Sequence, residues 1–217
     1  MKRFSDRRAA GRDLAQKLFR YEAGSDTIVL GLPRGGVPVA YEAALALNVR
    51  LDIWIVRKLG LPGQEELAIG AVASGGVRIL NHDIIQTVGL SKSTIDKVTE
   101  QELAELKRRE QQYRGNRPLL DVHNHTVILI DDGLATGASM LAAVHGLRTQ
   151  TPARIIVAVP AAAPQALEIL RPEVDEAVFV IAPYEFKGVG NWYDDFSQIT
   201  DEEVQQLLNE ANSHLQP

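Results

Sequence analysis

Cysteine is absent from the 217-residue chain, which excludes disulfides, a thiolate zinc site and a cysteine nucleophile and suits a reducing compartment. Hydrophobic runs are short, and none approaches the ~20 apolar residues that span a bilayer. The basic start, MKRFSDRRAAGRDLAQKL, never reaches the apolar stretch of a secretion signal. A cytoplasmic, untethered protein with no membrane partner is therefore expected. A basic excess is also missing. Lysine and arginine number 23 against 28 aspartates and glutamates, a formal charge of −5, which argues against a nucleic-acid partner that needs a basic surface. The five histidines show no metal-ligand spacing.

What is present is an ordinary globular composition, 45% apolar and 24% charged. A chain of this length buries roughly 70% of its unfolded surface, enough for a core without staples. No repeat or linker interrupts it, so residues 1–217 are read as a single domain. Apolar, β-branched runs that stop at turn residues predict strands at Thr27–Leu30, Leu51–Val56, Thr126–Ile130, Arg154–Val159 and Ala177–Ile181. Helices are predicted from a Ser5 or Asp6 cap to about Tyr21, and over Val37–Leu47, Asp83–Val88, Ser93–Tyr113, Ala138–Arg148 and Pro164–Leu170. A capping box at Thr200–Glu203 opens a last helix to about Asn212. Alternating strands and helices imply an α/β fold, an open parallel sheet flanked by helices on both faces. Leu59–Ser74, with Gly60, Pro62 and Gly63, is read as a mobile loop, and Leu67–Ala73 and Val77–Leu80 as a hairpin around Gly75-Gly76. The charged Ser93–Tyr113 helix is expected on the surface, with Arg108, Arg109, Tyr113, Arg114 and Arg117 forming a solvated basic face.

The clearest chemistry lies in Val127–Ser139, VILIDDGLATGAS. In an open α/β sheet, ligands bind beyond the carboxyl ends of the strands, where Asp131 and Asp132 emerge. Two adjacent carboxylates there accept hydrogen bonds from vicinal sugar hydroxyls, or hold Mg²⁺ through water. They also repel one another unless something positive sits nearby. The loop that follows, Ala135, Thr136, Gly137, Ala138 and Ser139, offers backbone N–H groups at a helix N-terminus, two hydroxyls and a glycine that lets the backbone come close. Such a loop holds a phosphate. Taken separately, Asp-Asp-Gly is a turn and Thr-Gly-Ala-Ser a helix cap. Their order makes the shape of ribose 5-phosphate.

In this segment the chain resembles the type I phosphoribosyltransferases, whose hallmark is an apolar strand, two acidic residues, three variable positions and then Thr-Gly-x-Thr or Ser. Asp131, Asp132, Thr136, Gly137 and Ser139 match it position for position. The resemblance covers roughly residues 25–182 and implies that fold, with a β-hairpin flexible loop at about 59–80 and a C-terminal hood in 183–199. It places Asp131 and Asp132 on the ribose hydroxyls of phosphoribosyl pyrophosphate (PRPP) and Mg²⁺, and residues 135–139 on the 5-phosphate. Leu30–Val37 occupies the place of the pyrophosphate loop, with Arg34, Gly35 and Gly36 as contacts; paired glycines expose N–H groups and an arginine forks onto phosphate oxygens. Alone, Pro-Arg-Gly-Gly is as much a turn as a site. Arg57 and Lys58, ending the second strand, stand where the family makes a further pyrophosphate contact, so that Arg34, Arg57 and Lys58 would carry the leaving group's charge. In the segment after them, Glu65 and Glu66 read as solvated before they read as catalytic.

Residues 183–196 hold five of the chain's twelve aromatics. Tyr184, Phe186, Lys187 and Trp192 are hood candidates for stacking on and reading a base, and a small satellite core holding the C-terminal helix is an equal alternative. Ala135 stands where 6-oxopurine enzymes of the family carry an aspartate, which weakens that substrate assignment. A small bacterial subgroup with a Pro-Arg-Gly-Gly loop and an aromatic C-terminal segment is the nearest likeness. The implied reaction transfers 5-phosphoribosyl from Mg-PRPP to a nitrogenous base with release of pyrophosphate, in a homodimer. The rivals are a non-catalytic PRPP or nucleotide sensor on the same fold, and a hydrolase or phosphotransferase using Asp131 or Asp132 as nucleophile or metal ligand.

Overall fold

The computed structural model of the chain describes residues 2–22, 24 and 26–214. In chain order it comprises α1 (Arg7–Leu18), β1 (Thr27–Gly31), α2 (Gly36–Leu47), β2 (Arg50–Ile53), β3 (Val56–Leu61), β4 (Gln64–Ala73), β5 (Val77–Leu80), α3 (His82–Val88), α4 (Lys92–Arg114), β6 (Thr126–Ile130), α5 (Ala138–Arg148), β7 (Arg154–Ala161), α6 (Pro164–Leu170), β8 (Glu176–Ile181) and α7 (Asp201–His214). Five strands in the order β2-β1-β6-β7-β8 make a parallel sheet, and β3-β4-β5 make a smaller antiparallel one.

The inner strands are apolar at nearly every position because both faces are covered, and their two-residue repeat deals alternate side chains to two cores. Val29, Ile128, Ile130, Ile156 and Ala158 cluster with Leu14 and Leu18 of α1, Val39 and Ala43 of α2, and Val204 and Leu208 of α7. Ile28, Leu30, Val127, Leu129, Ile155 and Val157 cluster with Met140, Val144 and Leu147 of α5 and Ala166 and Leu167 of α6. Each such aliphatic side chain stabilises the fold by about 1.5–3 kcal/mol relative to exposure. Register then sets the site. Gly31 pairs with Ile130, and the Leu32 N–H donates to the Ile130 carbonyl at 2.8 Å. The loops after β1 and β6 therefore start side by side.

Two expectations are corrected. The second strand ends at Ile53, Trp54 and Ile55 leave the parallel sheet, and at Val56 the chain enters the antiparallel one. Arg57 and Lys58 accordingly open a strand of the second sheet instead of closing one of the first. The stretch 59–74 is mostly strand, not irregular loop: β3 and β4 pair up to an exposed tip at Pro62-Gly63, and Leu59, Leu61, Ile69 and Val72 are buried in the main core. Gly60 reads as loop punctuation, yet a Cβ there would lie 2.8 Å from the Glu65 carbonyl oxygen, at an irregularity in the β3–β4 pairing. Glycine is demanded by close backbone approach. The β4–β5 hairpin at Gly75-Gly76 forms as expected, both glycines at positive φ (80° and 75°).

Helix α4 is only half a surface helix, since Ile95, Thr99, Leu106 and Tyr113 are buried. Arg108 and Arg109 lie beside Glu105, but Arg114 is not part of a solvated face. It is buried, its Nε shared between the Asp52 carboxylate oxygens at 2.8 and 3.0 Å, with a further bond to the Ile53 carbonyl. Among the described residues no helix is long and apolar enough to cross a membrane.

Candidate functional site

Asp131 and Asp132 leave the carboxyl end of β6 in contact with the loop after β1. A Cβ on Gly36 would lie 2.7 Å from the Ile130 carbonyl oxygen, and one on Gly35 only 2.1 Å from Asp132 Oδ2. Gly35 has an ordinary helical φ of −62°, so space, not backbone conformation, excludes a side chain. The Gly36 N–H is already spent on the Leu32 carbonyl at 3.0 Å, which corrects the expectation that both glycines offer N–H groups to a ligand.

Downstream, Leu134 is stitched to the end of β7: its N–H donates to Ala161 O at 2.8 Å and its carbonyl accepts from Ala163 N–H at 2.7 Å. Gly137 then takes the left-handed conformation, φ 78°, that opens α5. Residues 131–140 and Val189 line an open cavity of about 220 Å³, into whose rim Ala135, Thr136, Ala138 and Ser139 are exposed. The structure therefore brings together the acidic pair, Gly35 and the loop 135–139, all of them legible in the sequence.

The acidic pair also has a partner that sequence reasoning missed. Arg7, at the start of α1, is 8% exposed and donates from Nε to Asp132 Oδ2 at 2.8 Å. Its Nη1 donates to the Ser197 carbonyl at 2.8 Å, and its Cζ stands 3.9 Å from the Phe196 ring centroid. The Tyr193 hydroxyl donates to the Asp132 carbonyl oxygen at 2.6 Å. One signal was available. Arg7 and Arg8 sit in the first turn of a helix with no acidic residue there, at the end where the helix dipole disfavours cations.

Burial, and next the charge of Asp132, push the Asp131 carboxyl well above the usual carboxylate range, against the backbone N–H of Asp132 donating to its Oδ1 at 2.8 Å. Burial likewise raises Asp132, with Arg7 pulling the other way. Burial, and then the Asp132 charge, raise the Tyr193 phenol.

The remaining candidates are dispersed. Arg34 is partly buried, its Nη1 3.9 Å from Asp201 Oδ1 at the start of α7. Asp201 accepts from the Tyr113 hydroxyl at 2.6 Å and Gln112 Nε2 at 3.0 Å, and burial together with that bond pushes the Tyr113 phenol up to about 12. Arg57 forks onto Glu102 of α4 at 2.7 and 2.6 Å, while Lys58 is exposed. In the aromatic segment, Trp192 and Tyr193 pack with Phe4, Ala10 and Ala161 in a satellite core, and Phe186 stacks on Trp192 with centroids 6.1 Å apart. That core ties down the N-terminal segment, not the last helix, whose Val204 and Leu208 belong to the main core. Tyr184, 89% exposed, and Lys187, also exposed, have open faces; buried Trp192 does not.

Fold and site together define a doubly wound α/β domain with an acidic pair and a short loop of small residues at the end of one strand. The chain belongs to the phosphoribosyl transferase domain family, whose model matches residues 3–181. Two curated relatives, both from Mycobacterium tuberculosis and both named "Putative phosphoribosyl transferase", are 41% identical over 212 residues, 98% of this chain. The chain spans about half, 48%, of their length. Among solved structures, TT1426 from Thermus thermophilus superposes with a TM-score of 0.85 at 41% identity, over 96% of this chain and 98% of that one.

Proposed function

We propose that this chain is a type I phosphoribosyltransferase of the subgroup with a Pro-Arg-Gly-Gly loop, acting on Mg-PRPP and a nitrogenous base. The observation that carries the proposal is that Asp131 and Asp132 line one cavity together with residues 133–140. A sugar diol and a 5-phosphate require that adjacency. In this reading the 5-phosphate lies on the N–H groups and hydroxyls of Ala135–Ser139 at the start of α5. Anchoring a group that does not react fixes C1 of the ribose by remote binding energy.

The bond from C1 to pyrophosphate breaks as a bond from C1 to the base nitrogen forms, through a transition state with oxocarbenium character. Charge developing on the departing pyrophosphate is met by Arg34, with Arg57 and Lys58 approaching from β3. Arg34 is free to do so because its tether to Asp201, at 3.9 Å, is too long for a hydrogen bond. Arg57 first has to leave Glu102. Tyr184, Phe186 and Lys187 flank the base, and the exposed tip of the β3–β4 hairpin covers the reaction.

Among the described residues no group of three or more His, Asp or Glu is placed to hold a metal. Asp131 and Asp132, adjacent carboxylates lining the cavity, would hold Mg²⁺ through water or sugar hydroxyls, and the ion would supply neutralisation of the charge on pyrophosphate.

Calorimetry with PRPP and Mg²⁺ tests the proposal, alongside an Asp131→Asn/Asp132→Asn double variant. Binding that disappears in the folded variant is expected, followed by a search of candidate bases for nucleotide products by mass. A folded wild-type protein that ignores PRPP would sink the assignment.

A further inference from the structure

The proposed ribose contact rests on two carboxylates, four oxygens in all, whereas a diol presents two hydroxyls. The structure shows how the extra acceptors are disposed of. Oδ1 of Asp131 turns back to accept the Asp132 backbone N–H at 2.8 Å. Oδ2 of Asp132 is taken by Arg7 Nε at 2.8 Å and walled in by Gly35, where even a Cβ would come within 2.1 Å of it. Among the described residues, Asp131 Oδ2 and Asp132 Oδ1 are the carboxylate oxygens of the pair left without a bonded partner.

Arg7 is not a passing surface contact. Its guanidinium forks between Asp132 and the Ser197 carbonyl and lies over the Phe196 ring. The segments that carry it are zipped together: Phe4 N–H donates to Trp192 O at 2.9 Å, Asp194 N–H to Phe4 O at 2.8 Å and Asp195 N–H to Ser5 O at 2.9 Å. The same zipper delivers the Tyr193 hydroxyl to the Asp132 carbonyl. Side chain and main chain of Asp132 are thus both held by residues from the two ends of the chain, far outside the motif that contains it.

We infer that Arg7 is a positioning residue for sugar recognition: by occupying Asp132 Oδ2 it turns the acidic pair into a reader of a vicinal cis-diol, with one acceptor from each carboxylate. This rests on the ribose-binding reading of the pair proposed above. A lysine would not substitute fully, because one ammonium cannot serve Asp132 and Ser197 in the planar geometry of the guanidinium fork.

The test compares ribose 5-phosphate with 2-deoxyribose 5-phosphate by calorimetry on the full chain. The wild type is expected to prefer the ribo sugar by about tenfold, the scale of one hydrogen bond to a charged group. In Arg7→Gln the preference falls below about twofold while 2-deoxyribose 5-phosphate binds within about threefold of its wild-type affinity, a split that general damage to the fold does not produce. Arg7→Lys gives an intermediate preference, and it decides the matter if Arg7→Gln does not fold. An undiminished preference in either folded variant overturns the inference, as does an equal loss of both sugars, or a wild type that binds both alike. A wild type that binds neither sugar fails the ribose-binding reading itself, a distinguishable result.

Discussion

Replacing Gly35 by alanine adds a single methyl group, and the structure specifies what it meets. The new carbon would stand 2.1 Å from Asp132 Oδ2, 2.8 Å from its Cγ and 3.3 Å from Arg7 Nε. Contacts below 3.0 Å are essentially never seen, so the Asp132 carboxylate must retreat by roughly 1 Å. Gly35 already has φ −62° and ψ −32°, which alanine adopts freely, so no backbone strain confuses the result. If the loop yields, overpacking costs about 1–3 kcal/mol. If the carboxylate swings away and leaves Arg7 buried without its partner, the cost rises to about 3–5 kcal/mol. A loss near 3 kcal/mol in urea unfolding at neutral pH is expected, with PRPP binding lost in the folded fraction. The cycle with Asp132→Ala isolates the cause. Once the offending oxygens are gone, Gly35→Ala should cost less than about 0.5 kcal/mol more, which makes the two changes strongly non-additive. Equal costs in both backgrounds, or a wild-type cost under about 0.5 kcal/mol, would refute the steric argument.

Two further outcomes follow from the charges. Asp131 has a raised carboxyl pKa caused by burial and by Asp132, so its favourable contribution to folding is complete only below the ordinary carboxylate range and is lost as pH rises through the folded-state value. Asp131→Asn should therefore unfold later than wild type at neutral pH, by about 0.5–2 kcal/mol, while losing PRPP binding; the advantage should vanish near pH 3, and a variant less stable than wild type at pH 7 contradicts the reasoning. Asp52→Asn removes one of the two carboxylates paired with buried Arg114, Glu110 at 3.1 Å being the other, and should cost about 1–3 kcal/mol. Because that network joins α4 to β2 and not the acidic pair, PRPP affinity of the folded fraction, measured by calorimetry, should be unchanged.

Short-range signals carried much of the architecture. Thr126–Ile130, Ala138–Arg148 and Pro164–Leu170 lie where apolar runs, turn residues and a proline at the first helical turn place them, since each is decided by neighbours within a few residues. The loop 135–139 was legible for the same reason: strand, acidic pair, glycine and helix start are contiguous. The failures share a different cause. Gly60 resembles a loop residue until β4 is seen pairing back over it, whereas Pro62-Gly63 do form the turn. Arg114 resembles its exposed neighbours on α4 until Asp52, 62 residues away, is found against it.

Local chemistry is written in the sequence: which strand ends in two carboxylates, which helix begins with a loop of small residues, and that cysteine is absent. The state of those groups was set by contacts between distant segments. Arg7 lies 125 residues from Asp132, and it reaches the site because residues 4–5 pair with 192–195 and because glycine, in place of any side chain, stands at position 35. Whether a carboxylate is free, paired or half-occupied depends on which distant segments fold over it, and burial makes that difference large.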